Sequence, residues 1–174
     1  MKNSVYFVGG AKGTGKTTLL RKLSDKTGLN VVNTGDFFNQ DKRDPSEVKK
    51  EIIGYLIKNS PLIADTHYAG FLKGIFSGKF ERGLYHSELS QLNDHVNLTL
   101  ILMDLDFSTL LTRRNKDTAE SRDLCPENIR KELEANKKYF EEYCNQLNKQ
   151  GYIVTNTEFD SALEKLSQIV NMEK

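Results

Sequence analysis

Between Gly9 and Thr18 the chain reads GGAKGTGKTT, and Gly10 to Thr17 fit the spacing G-x-x-x-x-G-K-S/T without a gap. Those residue types in that order suit one task, the holding of a run of phosphates. Glycine lets the backbone approach an anion closely. Around Gly10, Gly13, Thr14 and Gly15 successive N–H groups can turn inward, and a helix starting near Lys16 adds the positive end of its dipole. The Lys16 ammonium is a point charge for β- and γ-phosphates, and the Thr17 hydroxyl suits Mg2+. Thr18, one residue on, suits an α-phosphate oxygen. The implied ligands are ATP and Mg2+. The spacing specifies the donor and is silent on what receives the phosphoryl group.

Such a loop works only between a strand and a helix, and the flanking sequence supplies both. SVYFVGG is a short apolar run rich in β-branched and aromatic residues, the pattern of a buried strand. KTTLLRKLSDKTG carries a helical stripe at Leu19, Leu20 and Leu23, with Gly28 placed to end it. LNVVNTGD, PLIADTH, NLTLILMDLD and YIVTN read as four more strands. Helices are predicted after Asp44–Pro45 with a face of Val48, Ile52 and Leu56, over FSTLLTRRNK, and over FDSALEKLSQIVNM. A long helix is predicted from Pro126, with Ile129, Leu133, Asn136, Phe140, Tyr143 and Leu147 on one face and Gly151 just past its end. Residues 66 to 95 show no period, because Gly70, Gly74, Gly78 and Gly83 interrupt it. AESRDLC is polar and aperiodic. Strands alternating with helices predict an α/β domain with a mainly parallel sheet.

The 174 residues suit one domain, and a formal net charge of +1 gives no sign of a dedicated nucleic-acid or membrane-surface binder. No apolar run approaches the length of a membrane span, and the N-terminus does not read as a secretory signal. Two cysteines without CxxC spacing fit a reduced, cytoplasmic setting, and three histidines without ligand spacing argue against zinc.

The succession of the phosphate loop, VNTGDFF, LIADTHYAG, LILMDLDFSTLLTRRNKD and SRD resembles the P-loop nucleoside monophosphate kinase group, most closely the archaeal type of adenylate kinase. The likeness runs in order over nearly the whole chain, with the loop its most specific part. It implies a P-loop NTPase fold with a five-stranded parallel sheet flanked by helices, nucleotide substrates, an acceptor-binding region over residues 34 to 60, and a short lid over 115 to 125. By the same resemblance Asp65 holds Mg2+ through water, and Thr34, Asp36, Thr66 and His67 border the acceptor. Arg113 packs on the adenine of the donor, Arg114 and Arg122 meet phosphate oxygens, and Asp123 pairs with a nearby arginine.

The chain departs from the bacterial-type pattern at two arginines that clamp the acceptor phosphate. Asn39 stands at the first position, with Arg43 a few residues late, and THYAG replaces GFPR at the second. Lys73, Lys79 and Arg82 are candidates for replacement charge. Three acceptor classes therefore remain open: a nucleoside monophosphate, the hydroxyl of another small molecule with Asp36 as base, or water in a nucleotide-switched ATPase acting in RNA or ribosome maturation. Oligomeric state and base preference leave no mark in the sequence.

Overall fold

The computed structural model describes residues 2–39, 44–71, 80–117 and 123–172. Five strands form one parallel sheet: β1 (Ser4–Gly9), β2 (Asn30–Asn33), β3 (Leu62–Asp65), β6 (Asn97–Asp104) and β7 (Tyr152–Thr155). Their order across the sheet is β2-β3-β1-β6-β7, so β1, which delivers the phosphate loop, is central. Strand alternation sends Val5 and Phe7 to one face and Tyr6 and Val8 to the other, all four buried. One face is covered by α2 (Pro45–Asn59), α3 (His86–His95) and α5 (Pro126–Leu147), through residues such as Ile52, Leu56, Leu89, Phe140 and Tyr143. The other is covered by α1 (Lys16–Thr27) and α6 (Phe159–Met172), through Leu19, Leu20, Leu23, Leu166 and Val170. A helix on each face of a parallel sheet is how such strands escape water on both sides.

The helix ends follow local chemistry. Asp44 caps α2 by accepting from the Ser46 N–H at 2.9 Å, with Pro45 in the first turn. Asp106 caps α4 (Phe107–Lys116) by accepting from the Thr109 N–H at 2.9 Å, which fixes the start of the helix bearing Arg113 and Arg114. Gly28 ends α1 in a left-handed conformation, as expected. The end of α5 differs from expectation. Asn148 takes the left-handed cap with φ of 49°, and its N–H bonds back to Asn145 and Cys144, so the helix stops before Gly151. Gly151 instead lies against the helix side, where a Cβ would sit 2.4 Å from the Phe140 ring.

The aperiodic stretch after β3 holds real elements. β4 (Ala69–Phe71) and β5 (Phe80–Arg82) form an antiparallel ribbon, and α3 follows it. Three-residue strands and a ten-residue helix are too short to impose a period across four glycines.

Candidate active site

The loop after β1 is folded around positions where a side chain has no room. Gly10 has φ of 150°, and a Cβ there would lie 2.4 Å from the Met103 carbonyl oxygen. Gly15 has φ of 83°, and a Cβ there would lie 2.6 Å from Asn156 Nδ2. Gly15 is the residue before α1, and no side chain caps that helix. The first bond of its ladder runs from Leu19 N–H to the Gly15 carbonyl at 3.2 Å. The N–H groups of Lys16, Thr17 and Thr18 thus stand ahead of the ladder, where an anion would meet them. The loop also closes on itself. Thr14 Oγ1 donates to the Ala11 carbonyl at 2.9 Å, and the buried Lys16 ammonium donates to the carbonyls of Gly10 at 2.9 Å and Ala11 at 3.1 Å.

Pairing of Val8 with Asp65 in the β1–β3 ladder puts the Asp65 carboxylate beside the loop. Thr17 Oγ1 donates to Asp65 Oδ2 at 2.9 Å. Burial pushes the Asp65 pKa above the ordinary carboxylate range, opposed by the Lys16 charge and the Thr17 hydrogen bond, while Asp36 adds to the rise. A hydroxyl and a carboxylate oxygen side by side are hard donors, the set Mg2+ takes alongside water and phosphate. Among the described residues no group of three or more His, Cys, Asp or Glu gathers as an all-protein metal cage. The residues present fit a magnesium ion that arrives with its nucleotide.

Beyond Asp65 the acceptor candidates come together in part. Thr34 Oγ1 lies 3.0 Å from Thr66 Oγ1 and 3.3 Å from the Asp65 carbonyl, and both threonines are buried. His67 Nδ1 lies 2.7 Å from the Gly10 carbonyl, so that nitrogen carries the proton and ties the end of β3 to the phosphate loop. Asp36 is exposed and accepts from Asn33 Nδ2 at 3.2 Å, a bond within its own turn.

The arginines of α4 both bond to main-chain carbonyls around the loop. Arg113 donates to the carbonyls of Asn156 at 2.6 Å and of Thr14 and Thr157 at 3.4 Å each. It thereby fastens the loop to the end of β7. Arg114 is buried, and its guanidinium is taken up by the Lys12 carbonyl at 2.7 and 3.0 Å, the Asp123 carbonyl at 3.2 Å and Glu132 Oε2 at 2.7 Å. Asp123 meets Arg114 through its main chain. Its carboxylate accepts from Cys125 N–H and Asn128 and organises the start of α5. Arg82 is paired with Glu142 at 2.8 Å. Arg122, Arg43, Lys73 and Lys79, with parts of the expected acceptor and lid regions, lie outside the described residues.

Sequence reading missed four polar residues that build the site. Glu132 Oε1 accepts from the Lys12 N–H at 2.7 Å. Asn156 Nδ2 donates to the Thr14 carbonyl at 2.7 Å. Tyr68 packs against Gly9, where a Cβ would be 2.3 Å from its ring, and its hydroxyl donates toward the carbonyls of Phe7 at 3.0 Å and Ile101 at 3.1 Å. Asn136 Oδ1 receives the N–H groups of Tyr68 at 3.1 Å and Ala69 at 3.2 Å. Glu132 had a signal: it falls on the buried stripe of α5, three residues from Ile129 and four from Asn136. Asn156 had another, a polar residue at the carboxyl end of a strand, like Asp65.

No protein-family model matches the chain. It is 29% identical over 150 residues to an adenylate kinase of Bacteroides fragilis, an alignment that covers 76% of this chain and 77% of that one. The YorR protein of Bacillus subtilis, solved in complex with phosphorylated GDP, superposes with a TM-score of 0.72 at 15% identity, covering 97% of this chain and 96% of its own. Shikimate kinase from Bacteroides thetaiotaomicron gives 0.60 at 11% identity, covering 97% and 98%. A gluconokinase from Sinorhizobium meliloti gives 0.59 at 13%, covering 99% and 98%. The fold is therefore the α/β P-loop NTPase fold, and the sheet order puts its loop at the central strand.

Proposed function

We propose that the chain is a phosphotransferase that moves the γ-phosphoryl group of Mg·ATP to a nucleoside monophosphate, giving two diphosphates. The observation that carries this reading is the adjacency of buried Lys16 and Asp65 with Thr17, and of Thr34, Thr66 and His67 directly beyond them. The likeness to an adenylate kinase supports the choice of acceptor, and the DTH sequence at Asp65–His67 is what points to the archaeal type.

A phosphate oxygen of the acceptor is already a competent nucleophile at neutral pH, so the work is positioning and charge stabilisation. Lys16 exchanges the loop carbonyls for β- and γ-phosphate oxygens, and the N–H groups at the start of α1 receive the same phosphates. Thr17, and Asp65 through water, would hold Mg2+, which when bound would neutralise charge on the β- and γ-oxygens. Arg113 stands at the loop–β7 junction for the adenine face, and Arg122 meets the transferring group from a lid over 115 to 125. Thr34, Asp36, Thr66 and His67 line an acceptor region that extends over 34 to 60. The setting is the cytoplasm.

Labelled ATP offered with a panel of nucleoside monophosphates and small alcohols tests this. Labelled diphosphate is the expected product, and its absence with every monophosphate rejects the reading. Label on an alcohol instead favours a hydroxyl acceptor, to which the structural likeness to shikimate kinase and gluconokinase lends support.

A further inference from the structure

The backbone at Lys12 is gripped on both sides of its Cα. Glu132 Oε1 accepts its N–H at 2.7 Å, while Arg114 Nη2 and Nε donate to its carbonyl at 2.7 and 3.0 Å. The two gripping side chains close the ring with an ion pair, Arg114 Nη2 to Glu132 Oε2 at 2.7 Å, and their side chains are 2% and 11% exposed. The Arg114–Glu132 pair is buried and the bonds to Lys12 are partly buried, and charge assists each of them. Lys12 lies two residues after Gly10 and one before Gly13, the positions at which the loop turns through positive φ. The N–H and the carbonyl of Lys12 belong to the two peptide units that meet at its Cα, so both Ala11–Lys12 and Lys12–Gly13 are held against rotation. The turn at Gly13 that follows is then fixed in the orientation that aims the later N–H groups inward.

We propose that Glu132 is a positioning residue for the phosphate loop, acting with Arg114 through the Lys12 backbone to preset the cradle before a triphosphate arrives. The inference rests on the loop's being a triphosphate site. Glu132 touches no phosphate. Its carboxylate is spent on one N–H and one guanidinium, which is why a single acidic residue can sit on the buried stripe of α5. The energetic logic separates this role from plain stability. Removing one member strands a buried charge and destabilises the fold, whereas replacing both with apolar residues of similar size leaves stability nearly unchanged. The apolar pair cannot hold a peptide, so the loop loses its preset turn while the fold persists.

The test is the double variant Glu132→Leu with Arg114→Met, compared with wild type and with Lys16→Met. Expected are a melting temperature close to wild type, a Kd for Mg·ATP raised about ten-fold or more, the loss of a charge-assisted bond, and faster hydrogen exchange at the Lys12 amide without ligand. Unchanged Mg·ATP affinity and Lys12 exchange in the folded double variant overturn the proposal. If that variant does not fold, Glu132→Gln serves. Its amide cannot accept from both Lys12 N–H and Arg114, so weakened affinity is again expected, and wild-type affinity in folded protein again overturns it. Wild-type protein that fails to bind Mg·ATP at all refutes the site itself, a result distinguishable from failure of the clamp.

Discussion

The phosphate loop and the proposed acceptor side of the site are built in different ways. On the donor side, groups from α1, α4, α5, β3 and the end of β7 converge on one loop, through bonds that span 48 to 142 residues of sequence. On the acceptor side, Asp36 is held by Asn33, three residues away and exposed, and the buried contact is a hydroxyl pair between Thr34 and Thr66. Bonds from several elements fix the loop in advance, while the Asp36 turn is held by a short exposed bond. Under the proposed function the donor loop is held by more elements than the turn that carries Asp36.

The comparison breaks most directly at Lys16. Replacement by Met is expected to cost on the order of 10²–10³-fold or more in phosphoryl transfer, since a preorganised charge aimed at the transferring group is lost. The fold should persist, and far-UV dichroism with product analysis checks both. Retained turnover sinks the assignment of the loop.

Asp65→Asn comes next and carries a sign. The buried carboxylate has a folded pKa above its unfolded value, so the folded protein binds that proton more tightly. Between the ordinary carboxylate pKa and the raised one, stability therefore falls as pH rises. Asparagine removes that slope and still accepts from Thr17. The variant is expected to be at least as stable as wild type at neutral pH while losing Mg-dependent turnover by about 10²-fold. Denaturant midpoints at several pH values, beside rates, decide it, and a variant less stable at neutral pH contradicts the account.

Gly15→Ala tests the rigidity of the donor side alone. It meets Asn156 Nδ2 and a φ of 83°, so a cost of about 1–3 kcal/mol in stability and weaker Mg·ATP binding are expected together. Thermal unfolding and calorimetry read the two. On the acceptor side, Thr66→Val removes one hydroxyl from a buried pair and should cost about 1 kcal/mol, felt in the acceptor KM more than in that of ATP. Asp36→Asn should change kcat least, by under about three-fold, if the acceptor is a phosphate. A fall nearer the 10²–10⁴-fold of a lost general base would make the acceptor a hydroxyl.

The same division governs what could be read from sequence. The loop was legible because its function demands fixed residue types at fixed spacing, and Asp65 because it ends an apolar strand. The strands and large helices were legible from period and caps, down to Asp44 and Gly28. The partner of Arg114 was not legible, because a motif records that an arginine is present and not which way it faces; a carboxylate on another helix, Glu132, takes it up. Glu132 and Asn136 sit among apolar residues of α5, and only the bonds across the fold show that they hold the loop and the start of the ribbon. The ribbon and α3 were missed because each is too short to carry a period of its own.

One consequence follows from the way Lys16 rests on the carbonyls of Gly10 and Ala11. The Lys16 ammonium holds partners of its own, so under the proposed function its part in phosphate binding is an exchange and not an addition. The ammonium trades carbonyl partners for phosphate oxygens, and its contribution is the difference between two sets of bonds. Under the same proposal the carbonyls compete for the ammonium as the diphosphate product leaves.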